Sequence, residues 1–238
     1  MKIALAFFGI TRSLRYTIKS IEKNILEKLS KHSVDIFMHT YSLTEYKNTR
    51  TRENTTTYDG EEYKLLNPTY LKIEVQEDVK KRLHLLKYRT HKDPWNTNYN
   101  SVDNFILAQY SKYQLVSMIE SAGHYDYILF IRPDCFYIDP LKIKYLKQAT
   151  SGSIVIPNDH LFGPYKFNDR FAITTAETYK KYGSLFTSLL KMSKKQPLHS
   201  ETIMGKYLKE LTTIRIPFRF SRIRVDGKVV DFKTHVNL

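Results

Sequence analysis

The chain has 238 residues, 42% of them hydrophobic, with only 8 glycines and 8 prolines; this is enough for one sizeable globular domain and excludes a disordered or low-complexity chain. Its 38 basic and 24 acidic residues leave a net charge of +14, which suits an anionic partner such as nucleic acid, a membrane surface or a phosphorylated substrate. A single cysteine, Cys135, excludes an internal disulfide framework and points to a reducing compartment.

In chain order, Lys2 to Phe8 is an apolar run that reads as a first buried strand. It is too short for a signal peptide, and no cleavage pattern follows Thr11-Arg12-Ser13-Leu14-Arg15. Gly9 to Ser13 is a loop. Ser13 is the expected cap of a helix whose apolar positions Leu14, Ile18, Ile21, Ile25 and Leu29 recur at three- and four-residue steps. Val34 to Met38 is a second strand, ending in His39-Thr40-Tyr41. Strand, helix, strand with short connections is a βαβ opening and implies parallel pairing.

Residues 42–100 form a polar insert rich in Thr, Asn, Lys and Tyr, with one helix at about Glu77 to Tyr88. Asp93-Pro94-Trp95 is a turn; Trp95 either anchors the insert or, with Tyr99, stacks on a sugar ring. Asn54-Thr55-Thr56 matches a glycosylation sequon that has no meaning without export. Ser101 to Ala122 is the strongest helix, capped by Ser101 or Asp103 and ended by Gly123. Gln109 and Lys112 interrupt its apolar surface, facing a polar site or, as the better reading, the solvent edge.

Tyr127 to Ile131 is an unbroken apolar and β-branched strand, buried on both faces. Arg132-Pro133-Asp134 ends it abruptly. Cys135 packs near the strand end. Pro140 to Gln148 reads as a helix, Ser153 to Ile156 as a strand, and Asn168 to Ile173 as a polar turn that becomes apolar. Helices follow over Thr175 to Met192 and, capped by Ser200, to about Leu211. Thr213 to Ile216 and Val229 to Phe232 are late strands, with Asp226-Gly227 as a hairpin turn. No apolar run approaches the roughly 20 residues of a membrane span, so a soluble protein is expected.

A carboxylate at the end of a buried strand is costly unless paired, and α/β sheets bind ligands beyond the carboxyl ends of their strands. Asp134 therefore either holds a metal or charged substrate, or merely pairs with Arg132. The Gly9-Ile10-Thr11-Arg12 turn suits phosphate, through backbone N–H groups, a helix start and the Arg12 charge. Neither G-x-G-x-x-G nor G-x-x-x-x-G-K-S/T is present, which disfavours ordinary dinucleotide and P-loop sites.

Six motifs in order carry a resemblance to a known family. They are Gly9-Ile10-Thr11-Arg12, Asp35-Ile36-Phe37-Met38-His39-Thr40, Asn104 through Gln109-Tyr110-Ser111, Tyr125-Asp126-Tyr127 with Arg132-Pro133-Asp134, Asn168 to Ile173, and His199-Ser200-Glu201-Thr202. The chain resembles the nucleotide-sugar glycosyltransferases of the GT-A fold, in a group found in glycan gene clusters of bacteria and large DNA viruses. The resemblance implies a Rossmann-like, mixed and mainly parallel sheet flanked by helices in a single domain. It implies transfer of a sugar from a nucleotide-diphosphate sugar, UDP- or GDP-linked, to a glycan or other hydroxyl acceptor, assisted by Mn2+ or Mg2+.

On this resemblance Asp134 is the second acid of the D-x-D metal site, and Asp139 and His235 are further metal-ligand candidates. Arg132 stands in the place of the first acid and contacts phosphate instead. Gly9, Thr11, Arg12, His39, Gln109 and Lys112 are the other donor-binding candidates. Asp169 takes the acceptor-side role, as base in an inverting enzyme or as stabiliser of an oxocarbenium-like centre in a retaining one, with Glu201 as the alternative. The expected location is the cytoplasm, that of the host for a virus, or the periphery of a membrane. Two other classes stay open. A basic nucleic-acid-binding protein would explain the charge but lacks zinc spacing and RNP-like motifs. A sugar nucleotidyltransferase would have a loop richer in glycine than Phe8-Gly9-Ile10-Thr11-Arg12.

Overall fold

The computed structural model describes residues 1–48, 53–55 and 59–230. In chain order, strand β1 (Lys2–Phe8) leads to helix α1 (Leu14–Ile21), which continues through a π-turn at Glu22–Leu26 into a short α2 (Glu27–Leu29). Then come β2 (Ser33–Ser42), β3 (Tyr46–Asn48), β4 (Glu53–Thr55), β5 (Tyr70–Val75), α3 (Gln76–Leu83) and the long α4 (Asn100–Ala122). The second half holds β6 (Tyr127–Ile131), β7 (Cys135–Tyr137), α5 (Ile143–Leu146), β8 (Ser153–Pro157) and β9 (Phe171–Thr175). It closes with α6 (Tyr179–Gly183), α7 (Phe186–Ser193), α8 (Ser200–Tyr207), β10 (Thr212–Ile216), β11 (Phe220–Ile223) and β12 (Val229–Val230).

Seven strands form the central sheet in the order β10-β8-β9-β6-β1-β2-β5. β1 runs parallel to both β2 and β6, β2 to β5, and β8 to β10, whereas β9 is antiparallel to β6 and β8. This is the mixed, mainly parallel sheet expected. Alternation along β1 explains its uniform apolarity. Ala4, Ala6 and Phe8 face a core built with α4, α6, α7 and α8. Ile3, Leu5 and Phe7 face a second core with α1, Tyr145 and the aromatic cluster Tyr137, Phe218 and Phe220. Both faces are covered, as parallel strands require. β7 and the β11–β12 hairpin make a small antiparallel sheet.

Some local expectations are corrected. Ser13 does not cap α1; its hydroxyl donates 3.1 Å to the Ile223 carbonyl and ties the helix start to β11. Neither Ser101 nor Asp103 caps α4, whose N-terminal flank is Tyr99 in a left-handed conformation at φ 64°. The helix expected from Glu77 to Tyr88 breaks at His84, also left-handed at φ 50°, into α3 and a 3-10 turn over Leu85–Tyr88. Ser200 lies inside α8, after an N-cap at His199. The helix expected over Pro140 to Gln148 is only Ile143–Leu146, and that over Thr175 to Met192 is two short helices, α6 and α7. β5, inside the polar insert, was not foreseen; it is the outermost strand of the central sheet, and Leu71, Ile73 and Val75 on it are exposed. The last expected strand keeps Val229–Val230, while Asp231 and Phe232 lie outside the described residues.

Candidate active site

The chain leaves β1, β6 and β2 along one sheet edge, and β9 begins at that same edge, since Ile131 pairs with Phe171. The loops there enclose a cleft of about 1060 Å³ with its open mouth included. Its walls hold Gly9, Arg12, Arg132, Asp169, Arg170, Glu201, Arg222 and Arg224, together with Tyr41, Tyr46, Trp95, Asn104 and Phe105.

Gly9 turns the chain from β1 into this cleft at φ +91°, a conformation other residues adopt only with strain. Its N–H donates 3.0 Å to Ser111 Oγ on α4. Thr11 is buried and its carbonyl accepts from the Leu14 N–H at 3.1 Å, starting α1. Arg12 follows with its guanidinium over the Tyr46 ring at 4.9 Å and hydrogen-bonded to the Tyr46 hydroxyl.

Asp134 does not reach the cleft wall. Its carboxylate is 2% exposed and accepts from Arg132 Nε at 2.8 Å, Arg132 Nη2 at 2.6 Å and Arg12 Nη2 at 3.0 Å, with Arg222 Nη2 at 3.8 Å. Burial alone would raise the Asp134 pKa, but Arg132, Arg12 and Arg222 outweigh it and hold the carboxyl well below the usual range. The same pairing raises Arg132 against its own burial. Next in sequence, burial pushes the Cys135 thiol up to about 12, so it packs as a small inert group.

Beside Arg132, whose N–H donates 3.1 Å to the Arg170 carbonyl, Asn168 builds a tight turn: its Nδ2 donates to the Asp159 carbonyl at 2.6 Å, and its Oδ1 accepts from the Arg170 N–H at 2.8 Å. That turn presents Asp169 and Arg170 to the cleft. Arg170 Nη1 is 3.1 Å from Asp169 and its Nη2 is 3.6 Å from Glu201. Burial would raise Asp169, yet Arg170, Arg132, Lys112 and Arg222 together lower it. Glu201 sits in the first turn of α8, with the Ser200 hydroxyl donating to it.

Trp95 forms the aromatic end. Its ring stacks on His199 at 5.1 Å and 24°. Asp93 fixes the segment by accepting the N–H groups of Trp95, Thr97 and Tyr99 at 3.0, 2.5 and 3.1 Å. The Asp93-Pro94-Trp95 turn is thus an ordered brace over α8, and Trp95 both anchors the insert and lines the cleft.

The remaining sequence candidates lie elsewhere. His39 is fully buried, its Nε2 2.9 Å from Glu74 and its Nδ1 2.9 Å from Ser111 Oγ. Burial lowers its pKa to about 4 despite Glu74, so the ring is neutral near pH 7. Gln109 and Lys112 are neither at the solvent edge nor in the cleft wall; both are buried against Met204 of α8, correcting the solvent-edge reading. Lys112 Nζ lies 3.5 Å from the Asp169 carbonyl and 4.7 Å from the Tyr182 ring centre. Asp139 is paired with Arg219, which donates to it from the backbone N at 2.8 Å and from Nε and Nη2 at 2.9 Å each. His235 lies outside the described residues.

These positions decide how well the described residues suit a resident Mn2+ or Mg2+. Both Asp134 oxygens already accept guanidinium hydrogen bonds, and three cations surround them. No group of three or more His, Cys, Asp or Glu converges among the described residues. As arranged, they do not fit a resident divalent ion, which takes free carboxylate oxygens as ligands. Arg222 and Arg224, by contrast, are not singled out by the sequence, and Arg170 is marked there only as part of the Asn168 to Ile173 motif. Arg222 and Arg224 are two apart, so a strand places both on one face, and that spacing was the available signal.

No protein-family model matches the chain, and no curated protein matches it. Among solved structures, core-mannan synthase A from Aspergillus fumigatus, in a Mn/GDP form, is 9% identical over 94% of this chain and 75% of that one, with a TM-score of 0.51. The galactosyltransferase LgtC, in complex with donor and acceptor sugar analogues, is 13% identical over 90% of this chain and 73% of its own, at a TM-score of 0.44. The apo-form glycosyltransferase GlyE of Streptococcus pneumoniae is 11% identical at a TM-score of 0.43. This chain spans 45% of the length of GlyE. The likeness to the Aspergillus protein shows a shared fold, the mixed GT-A sheet flanked by helices.

Proposed function

We propose that the chain is a glycosyltransferase that moves a sugar from a nucleotide-diphosphate sugar to a hydroxyl of a glycan acceptor. The observation that carries this reading is the cleft itself. At the carboxyl ends of β1 and β6 it is lined by five arginines, by aromatic and amide groups, and by Asp169 and Glu201. Arginines suit a diphosphate, and a tryptophan face suits a sugar ring. The GT-A fold and the Mn/GDP form of the Aspergillus relative support a nucleoside diphosphate as the leaving group. Mn2+ or Mg2+ is the ion the resemblance implies, but Asp134, already paired with Arg132 and Arg12, presents no free carboxylate oxygen to it.

In the transfer, the acceptor oxygen forms a bond to the anomeric carbon as the bond from that carbon to the β-phosphate oxygen breaks. The electron pair leaves on the phosphate, and the acceptor's proton passes to a carboxylate. Asp169, kept ionised by Arg170, faces the positive charge that develops at the sugar. It receives the proton as bond formation makes the hydroxyl acidic. Glu201, beside it, orients the acceptor.

Nucleic-acid binding is a poorer account of the charge, because these arginines are drawn into a cleft and ion-paired with carboxylates. Among the described residues no helix is long and apolar enough to cross a membrane. The test is thermal stability against UDP-, GDP-, CMP- and dTDP-sugars. A ligand at a hundredfold excess over its dissociation constant stabilises by about 2.7 kcal/mol. One nucleotide family should raise the melting temperature by several degrees; a flat response to every donor contradicts the reading.

A further inference from the structure

Among the described residues the cleft holds more guanidinium than its carboxylates use. Arg12, Arg132, Arg170, Arg222 and Arg224 all line it. Asp134 takes Arg132 and Arg12, Glu53 takes Arg224 at 3.2 Å, and Asp169 and Glu201 share Arg170. Among the described residues Arg222 has one ion-pair contact, to Asp134, at 3.8 Å. Burial and the neighbouring Arg132 both press against its charge and lower its pKa. Among the described residues four buried nitrogens on these side chains find no hydrogen-bond partner, Arg12 Nε, Arg170 Nε, Arg170 Nη1 and Arg222 Nε, although Arg170 Nη1 keeps its 3.1 Å ion-pair contact with Asp169.

Buried charged donors left unmade are costly, so the cluster is built to receive an anion. A diphosphate has the charge and the acceptor oxygens to complete it. The same cluster repels a cation. A divalent ion bound to Asp134 would have to displace two Arg132 hydrogen bonds and sit within reach of Arg12 and Arg222.

We propose that in this chain the departing diphosphate is neutralised by guanidinium groups, with Arg222 at the centre and Arg132 and Arg170 beside it, and that Asp134 anchors Arg132 and Arg12 rather than holding a resident metal. The identity of the anion as a nucleoside diphosphate rests on the transferase reading above. The anion site itself rests on the cluster. As the bond to the anomeric carbon breaks, the electron pair that remains on the β-phosphate oxygen is met by N–H donors already in place. Such preorganised donors need no reorganisation at the moment of reaction.

The test is calorimetric titration of inorganic pyrophosphate into the whole chain, once in EDTA and once in Mn2+. Binding should occur in EDTA, with a Kd within about threefold of that in Mn2+. Arg222→Gln should weaken it by about tenfold or more, as expected for a lost charged hydrogen bond, while Arg222→Lys keeps most of the affinity. Melting curves of both variants show that the fold survives. Pyrophosphate binding seen only with Mn2+ and lost in Asp134→Asn overturns the proposal. So does binding in EDTA that Arg222→Gln leaves unchanged, or no binding in either buffer. The two readings fail separately. Pyrophosphate bound in EDTA without any sugar transfer removes the transferase and leaves the clamp. Sugar transfer abolished by EDTA removes the clamp and leaves the transferase.

Discussion

Asp169 in the cleft wall and Lys112, buried behind it, are shifted by their surroundings in ways that can be tested. Asp169 is lowered by Arg170, Arg132 and Lys112 against its burial, so it stays ionised across the neutral range. Asp169→Asn keeps the side chain's shape and removes its charge. It should reduce kcat by about 10²- to 10⁴-fold, the usual worth of a positioned acid–base group, and lower the melting temperature, because Arg170 loses its ion-pair partner, while leaving the chain folded at the assay temperature. Steady-state kinetics check this, and a loss below fivefold would return the role to Glu201. Lys112 is pushed down to about 7 by burial, against the pull of Asp169. Its value in an unfolded chain is 10.5, so between those two pH values the unfolded state carries a proton that the folded state lacks. Stability must then rise with pH through that window. Denaturant titrations at pH 7 and pH 10 should show the rise in the native chain and a flatter profile in Lys112→Met. An unaltered slope in the variant would show that Lys112 is not the group responsible.

At the level of elements, the site depends on how loops leave the strands. Gly9 bends the chain out of β1 at φ +91°, and no atom would touch an added Cβ. Gly9→Ala therefore isolates backbone strain, expected to cost about 1–2 kcal/mol, read as a lower melting temperature, with weakened donor binding as Arg12 shifts. Trp95 is held by Asp93 over His199. Trp95→Ala should raise the acceptor KM severalfold and leave donor affinity unchanged; equal loss of both would place Trp95 in the donor half. The strands β1, β2, β6, β8 and β10, the apolar run of β9 and the turn between β11 and β12 are legible in the sequence because their residues are apolar and β-branched runs cut by turn residues. It did not foretell β5, whose alternating Leu71, Ile73 and Val75 are exposed at a sheet edge within a polar stretch. Nor did local pattern place His39, Gln109 and Lys112, since burial of a polar residue is decided by partners such as Glu74 and Met204 that lie far away in sequence. Asp134 was the sharpest case. Both of its readings could be written from Arg132-Pro133-Asp134, and only the convergence of Arg12 and Arg222 from distant elements shows how fully it is paired.

Across the whole molecule, the net charge of +14 acquires a location. Part of it is solvated surface, as in the exposed pairs Lys64–Glu61 and Lys228–Asp226. The part with chemical consequence is the arginine wall at the carboxyl edge of the sheet, where a strand buried on both faces can end in costly charge because ligands bind there. The central claim is that this wall and the carboxylates near it break the bond between a sugar and a nucleoside diphosphate. The most direct measurement is release of nucleoside diphosphate from a panel of nucleotide sugars, with water or added oligosaccharides as acceptors, by the native chain and by Asp169→Asn. The account predicts release from one nucleotide family, increased by a suitable acceptor and reduced at least a hundredfold in the variant. Intact donors throughout the panel, or release that Asp169→Asn leaves unchanged, would contradict it.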